Sequence, residues 1–412
     1  MDFNATAEQR MDLEAARTAP PKGFPALPEI PAARYTSEAF HKLELEHVLR
    51  KTWMCIGRDN DVGAAPGSYI TFRKLGAPIL IVRGRDGVLR AFYNTCRHRG
   101  APVVRDECGQ TSMLRCQYHS WSYGLDGKLI SVPDAHDFAC LDKDKRGLLP
   151  IRCDTWAGLL FINEDMHGPS LIEHLGVIPN DLACVGMEKL RTVEKQSYIL
   201  ECNWKAAMDA FVETYHLNTI HPEVRNMLDA PANAIELLPN GHSRQAMRKA
   251  LQPGGNWNTM DGAPDIPEMP ELYRRNTITY TIFPNIVSPM EAIGVPMLLF
   301  FPIGHNRCEM QAMFMGPDWG DAARPQFWGD FLKPYTKVLL QDQENLAPIQ
   351  ESMNCGALSG VMVNYQERRI YWHHEEIDRR IGWTNIPQGL AVARVLDDFV
   401  EEPFESIAQR VA

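Results

Sequence analysis

The residues best suited to chemistry lie in two short clamps, Cys96-Arg97-His98 and Cys116-Gln117-Tyr118-His119, with 17 residues between them. Each clamp offers one thiolate and one imidazole, a mixture that suits either zinc or an iron–sulfur cluster. Zinc fingers usually pair like with like, C-x2-4-C followed by H-x3-5-H, because one hairpin or helix end supplies each matched pair. Here both clamps are mixed. A [2Fe-2S] centre with two Cys on one iron and two His on the other takes one of each from either loop, so the pairing favours the cluster over structural zinc. Gly100, Pro102 and Gly124 let the loops turn tightly and leave backbone N–H groups to bond the sulfurs.

A second constellation follows a helical run that opens at Asn203-Trp204-Lys205 and is expected to continue to His216. At about 100° per residue, Asp209, Glu213 and His216 fall within about 60° of one another on one face. Trp204, Met208, Phe211 and Tyr215 read as core beside them. His216-x4-His221 brings two imidazoles to one helix end, where Pro222 stops the element. A solvated acid–histidine stripe is the plain alternative to a metal site. Two histidines alone leave Fe(II) under-ligated, so a carboxylate must come from elsewhere in the chain.

With these residues on the page, the sequence resembles the Rieske non-haem iron oxygenases, specifically their α (oxygenase) component. Cys96-x-His98, Cys116-x2-His119 and the following Trp121-Ser122-Tyr123-Gly124 stand in that family's cluster pattern. Glu213-x2-His216-x4-His221, preceded by Asn203-Trp204-Lys205, stands in its mononuclear-iron pattern. The resemblance runs from Thr36 to about Trp383. It implies that Cys96, His98, Cys116 and His119 hold a [2Fe-2S] Rieske cluster. It further implies that His216, His221 and Asp342 hold a mononuclear Fe(II), with Gln350 eight residues beyond the aspartate; Glu344 is the local competitor. In the family the acid at the Glu213 position bridges a cluster histidine and an iron-ligand histidine across a subunit boundary, which implies a homotrimer. Dihydroxylating relatives commonly carry Asp there, so the longer Glu213 points to hydroxylation or oxidative dealkylation. Asp209 could hold a cationic substrate or brace a ligand histidine, and bracing is the preferred reading. The pocket is expected partly on Met208, Asp209 and Val212.

The implied reaction uses O2 and electrons from NAD(P)H, delivered through a separate ferredoxin and/or flavin reductase, on a small aromatic or other organic substrate. No G-x-G-x-x-G follows a strand, so the chain shows no nicotinamide or flavin fold of its own. A cis-dihydroxylating aromatic-ring dioxygenase would use the same metals. A zinc-stabilised ligand-binding module is the alternative of another class.

These sites need elements to hold them. Residues 1–35 read as an arm: a polar helix to about residue 18, then five prolines between Ala19 and Pro31. Thr36 or Ser37 caps a helix expected to reach Trp53. Short β runs follow at 68–73, 78–82, 88–93, 114–116, 120–123, 149–153 and 159–163, with Asp126-Gly127 as a hairpin turn. A strand at 194–202 precedes the Asn203 helix, and runs at 277–286, 296–303 and 308–316 fit an antiparallel sheet. The last helix, 367–381, carries His373 and His374, which point about 100° apart and so cannot share a metal; packing or a surface position is expected of them. The expected class is α+β: a small antiparallel β Rieske domain over 36–169 and a helix-grip (START-like) mononuclear-iron domain over 170–412.

Composition bounds the remainder. The 412 residues exceed what a small electron carrier needs. A net charge of −10 argues against nucleic acid and against an anionic membrane surface. The N-terminus lacks a secretory apolar core, no run spans a bilayer, and eight cysteines scatter outside the motif, which together predict a cytoplasmic protein.

Overall fold

The computed structural model describes residues 3–222, 224, 227–250, 264–267 and 269–400. The chain divides into two compact units, Leu49–Leu171 and Met1–Val48 together with Ile172–Ala412. Residues up to Val48, expected as an arm and the first helix of the Rieske domain, cluster with the C-terminal unit. Helix α1 spans Phe3–Ala16 and α2 spans Glu38–Leu43. The Ser37 hydroxyl caps α2 by accepting from the Phe40 N–H at 3.2 Å. The α-helix expected to reach Trp53 stops at Leu43, and Glu44–Leu49 continue as a wider π-helical turn.

The Leu49–Leu171 unit is built from ten strands: β1 Met54–Arg58, β2 Ser68–Phe72, β3 Ile79–Arg83, β4 Leu89–Tyr93, β5 Cys108–Gln110, β6 Leu114–Arg115, β7 Ser122–Tyr123, β8 Leu129–Ser131, β9 Pro150–Trp156 and β10 Leu159–Asn163. Seven of them form one antiparallel sheet in the order β1-β10-β9-β4-β3-β2-β5, and β6-β7-β8 form a separate meander. β3 is Ile-Leu-Ile-Val-Arg with four successive buried residues, a strand covered on both faces. The β7–β8 turn is the expected Asp126-Gly127 hairpin, where Gly127 takes a positive φ of 82°. Leu80, Val82, Phe92, Leu114, Trp121 and Tyr123 share one buried cluster with Cys96 and Cys116. The thiols of both clamps are thus anchored in the core of the unit.

The second unit carries a seven-stranded antiparallel sheet from β11 Arg191–Leu200, β12 Leu228–Leu237, β13 Ser243–Lys249, β14 Asn276–Ile282, β15 Ile286–Met290, β16 Val295–Gly304 and β17 Arg307–Gly316, in the order β11-β17-β16-β15-β14-β13-β12. The expected run 277–286 is two strands, divided by a turn at Phe283-Pro284-Asn285. β12 holds Pro231, which a central strand rejects, and it lies at the sheet edge. Helix α1 packs along that edge: Ala7 and Met11 are buried, and Arg10 pairs with Glu236 at 2.9 Å.

The helices that bear on the site are α3 Trp204–Asp209, α4 Leu217–Ile220, α5 Gln326–Asn354 and α6 Arg368–Ile381. The helix expected to run unbroken from Asn203 to His216 ends at Asp209, and turns carry residues 210–216. No helix among the described residues is long and apolar enough to cross a membrane.

Candidate metal centres and substrate cavity

The two clamps fold alike. The Cys96 N–H donates to the Ala101 carbonyl at 2.8 Å and its carbonyl accepts from Gly100 N at 3.0 Å; Cys116 does the same with Trp121 and Ser120, both at 2.9 Å. The fourth residue after each cysteine, Gly100 at φ 78° and Ser120 at φ 60°, takes the left-handed conformation that closes such a turn. Both thiols are buried, whereas His98 and His119 are partly exposed, with ring centroids 4.7 Å apart. His98 stacks on Trp121 at 5.0 Å and 7°, which fixes its ring. The Tyr123 hydroxyl lies 3.3 Å from Cys96 Sγ and accepts the Arg97 N–H at 2.9 Å. Burial pushes the Cys96 thiol up, and the Tyr123 contact opposes that shift. Two buried sulfurs beside two outward imidazoles, one of each from either loop, fit a cluster in which the thiolates hold one iron and the imidazoles hold the other.

In the second unit His216, His221 and Asp342 each aim one ligand atom at a common point, with all three atoms within 4.8 Å of one another. His221 Nε2 is 2.9 Å and His216 Nε2 is 3.3 Å from Asp342 Oδ1. A first-row cation about 2.1 Å from each ligand separates its donors by roughly 3–4 Å, so the set fits one. The opposite ring nitrogens are taken: His216 Nδ1 is bonded to the Glu213 carboxylate, and His221 Nδ1 donates to Gln341 Oε1 at 2.8 Å. Those bonds leave both Nε2 atoms facing the aspartate. Burial disfavours a charged His216, but its bonds to Asp342 and Glu213 outweigh that and push its pKa up to about 10. Asp342 is buried on α5, while Glu344 points to solvent.

α3 is pinned beneath this site. Asn203 caps it by accepting Lys205 N at 3.0 Å, and Gln350 on α5 accepts the Asn203 N–H at 2.7 Å. Lys205, fully buried, reaches Glu44 at 2.8 Å, and the Trp204 indole donates to the same carboxylate at 3.2 Å.

The triad closes one end of a cavity of about 370 Å³. Its wall is mostly apolar, including Phe211, Met247, Val287, Leu298 and Phe314. Trp328, Phe331, Tyr335, Leu339 and Asp342 also line it, and their spacing of three or four residues places all five on one face of α5. An aromatic ladder therefore leads along one helix to the metal carboxylate.

Two expectations need correction. Asp209 does not brace a ligand histidine: it accepts from the Tyr35 hydroxyl at 2.7 Å and lies 3.7 Å from His374 Nε2, while Glu213 and Gln341 hold the two Nδ1 atoms. The pocket is lined by Ala210, Phe211 and Glu213, and not by Met208, Asp209 or Val212. The early end of α3 takes His216 and Val212 off the continuous-helix face, whereas Met208 and Asp209 still lie within α3, Met208 buried and Asp209 turned against Tyr35. His373 and His374 are core residues: His373 contacts the Pro284 carbonyl at 3.3 Å, and His374 sits between Arg34 and Tyr35. Sequence reasoning missed Gln341, whose signal was its place beside Asp342, and the aromatic ladder, whose signal was its spacing from the same residue.

A β unit with two cysteine–histidine clamps and a second unit with a His-His-Asp triad beside an antiparallel sheet point to a class, and comparison with known proteins matches both halves. Residues 52–142 match the Rieske [2Fe-2S] domain and residues 187–383 match the ring hydroxylating alpha subunit catalytic domain. The chain belongs to the Rieske oxygenase alpha subunits. The [2Fe-2S] domain match covers residues 52–142 and so contains both cysteine–histidine clamps.

The carnitine monooxygenase oxygenase subunit of Escherichia coli (strain K12) is 35% identical over 208 residues, 49% of this chain and 55% of that protein. The chlorobenzene dioxygenase subunit alpha of Cupriavidus sp. (strain PS12) is 36% identical over 193 residues, 45% of this chain and 42% of that one. The matched segments thus span about half the length of these curated relatives. Among solved structures, a quaternary ammonium Rieske monooxygenase bound to gamma-butyrobetaine superposes with a TM-score of 0.70 at 21% identity, covering 85% of this chain and 94% of that one. Naphthalene 1,2-dioxygenase from Rhodococcus sp. superposes with a TM-score of 0.70 at 23% identity over 91% and 98%. These likenesses establish the fold.

Proposed function

We propose that the chain is the terminal oxygenase of a multicomponent Rieske system. It takes electrons from NAD(P)H through a separate ferredoxin and/or flavin reductase and uses O2 to hydroxylate or oxidatively dealkylate a small, flat organic substrate. The observation that carries this reading is the convergence of His216, His221 and Asp342 at one end of an apolar, aromatic-walled cavity. When bound, the cluster supplies one-electron storage and the Fe(II) supplies open positions for O2 beside the substrate.

The chain's own residues do the rest. Glu213 holds His216 by Nδ1 and by its N–H at 3.2 Å, and Gln341 holds His221, so both imidazoles keep one tautomer and one orientation. The ladder of Trp328, Phe331 and Tyr335 orients a ring by stacking and excludes water from the triad. Glu213 is also the proposed bridge through which a neighbouring subunit's cluster reaches this site, which makes a homotrimer part of the reading.

Likeness to a chlorobenzene dioxygenase subunit favours cis-dihydroxylation as the second reading. Turnover under 18O2 separates the two: one labelled oxygen in the product supports hydroxylation or dealkylation, and two support dihydroxylation. Oxygenation by Asp342→Ala protein at the wild-type rate would contradict both.

A further inference from the structure

Apart from Glu213 and Asp342, the cavity wall contains one carboxylate among the described residues, Glu291, and no lysine or arginine. Glu291 sits where the chain turns back after β15 and bridges to Gly294, whose backbone packs against the Trp328 ring, at the opposite end of the aromatic ladder from Asp342. The Glu291 carboxylate is already engaged from behind. Lys249, at the end of β13, reaches Glu291 Oε2 at 3.0 Å, and the Thr277 hydroxyl donates to Oε1 at 3.0 Å. The Lys249 and Glu291 side chains are 14% and 31% exposed, so the pair is shielded from solvent on the lysine side.

We propose that Lys249 is a specificity-determining residue that cancels Glu291, leaving the far end of the substrate cavity neutral so that an uncharged substrate is taken in preference to a cation. The inference rests on the reading of this cavity as the substrate site. The aromatic ladder would by itself attract a cation as readily as a neutral ring, because ring faces are electronegative. A free carboxylate at its end would add to that attraction in a low-dielectric cavity. The lysine removes this second attraction and sets the selectivity as a difference between two affinities.

The test uses the holoenzyme and two probes of the same shape, benzyltrimethylammonium and its uncharged carbon analogue neopentylbenzene, titrated by quenching of tryptophan fluorescence. Wild-type protein is expected to bind the uncharged probe at least tenfold more tightly. Lys249→Met is expected to shift the ratio at least tenfold toward the cation, and Lys249→Met with Glu291→Gln to bring it back to the wild-type value. That return separates charge from damage to the fold, which would persist in the double variant. A cation bound as tightly as its analogue by wild-type protein, or a ratio unmoved by Lys249→Met, overturns the role given to Lys249 while leaving the cavity as a binding site. Failure of both probes to bind wild-type protein overturns the substrate-cavity reading itself, and this inference with it.

Discussion

Glu213 and Asp342 do different things to the same metal site, and substitution separates them. Asp342 presents its carboxylate to both imidazoles, so Asp342→Ala is expected to lose the mononuclear iron while the visible absorbance of the cluster is unchanged. Glu344→Ala, at an exposed position two residues on, should keep both metals. Iron loss from Glu344→Ala alone would overturn the choice of ligand. Glu213 orients His216 from the far side of its ring. Glu213→Gln is therefore expected to retain iron and to lower turnover roughly 10–100-fold, the usual cost of losing a group that orients a metal ligand. Unchanged turnover would remove Glu213 from the mechanism. Spacing alone marked the two clamps and the histidine pair as candidate metal ligands, because a metal demands fixed donors at short separations, and left zinc and a solvated stripe as alternatives. Asp342 was not: its partners lie more than a hundred residues away, and only the family resemblance singled it out.

At the scale of elements, α3 is held by a buried ion pair, Lys205 to Glu44, with both side chains at 0% exposure. Removing one partner strands the other charge in the core, so Lys205→Met should destabilise the protein by about 3–5 kcal/mol. Lys205→Met with Glu44→Leu should recover most of that loss. Denaturant melts check both, and a single variant as stable as wild type would show that the pair is not sequestered. The strands were readable where hydrophobic alternation met Gly-rich turns, as in β2 to β4. β1 was lost because Met54-Cys55-Ile56 continues an apolar run out of a helix, where periodicity cannot distinguish the two. β12 was lost because Pro231 argues against a strand, and only the sheet order shows that it is an edge. The end of α3 at Asp209 left no mark in the sequence. Ala210, Phe211 and Val212 are compatible with a helix, and contacts such as Arg369 to the Val212 carbonyl at 3.0 Å hold that stretch in turns.

For the whole molecule, four buried histidines set a pH limit. His242 and His373 are held down to about 4 by burial, and burial likewise holds His174 and His374 below their usual range. Between that value and about 6.5 the unfolded chain binds protons that the folded chain refuses. At these four sites unfolding then takes up protons, so their contribution to stability is complete above about pH 6.5 and is lost as pH falls toward 4, by roughly 3 kcal/mol for each of His242 and His373. Asp209, raised by burial to about 7, offsets about one of them. Thermal melts from pH 8 to pH 5 should show Tm falling below about 6.5, and a Tm independent of pH over that range would contradict it. The central claim concerns both metal sites in one chain. It is tested most directly by iron and acid-labile sulfide analysis of anaerobically purified protein, with electron paramagnetic resonance after dithionite reduction. The account predicts a Rieske-type signal, sulfide, and iron in excess of what the cluster contains. Zinc without sulfide, or iron that never exceeds the cluster's share, would contradict it.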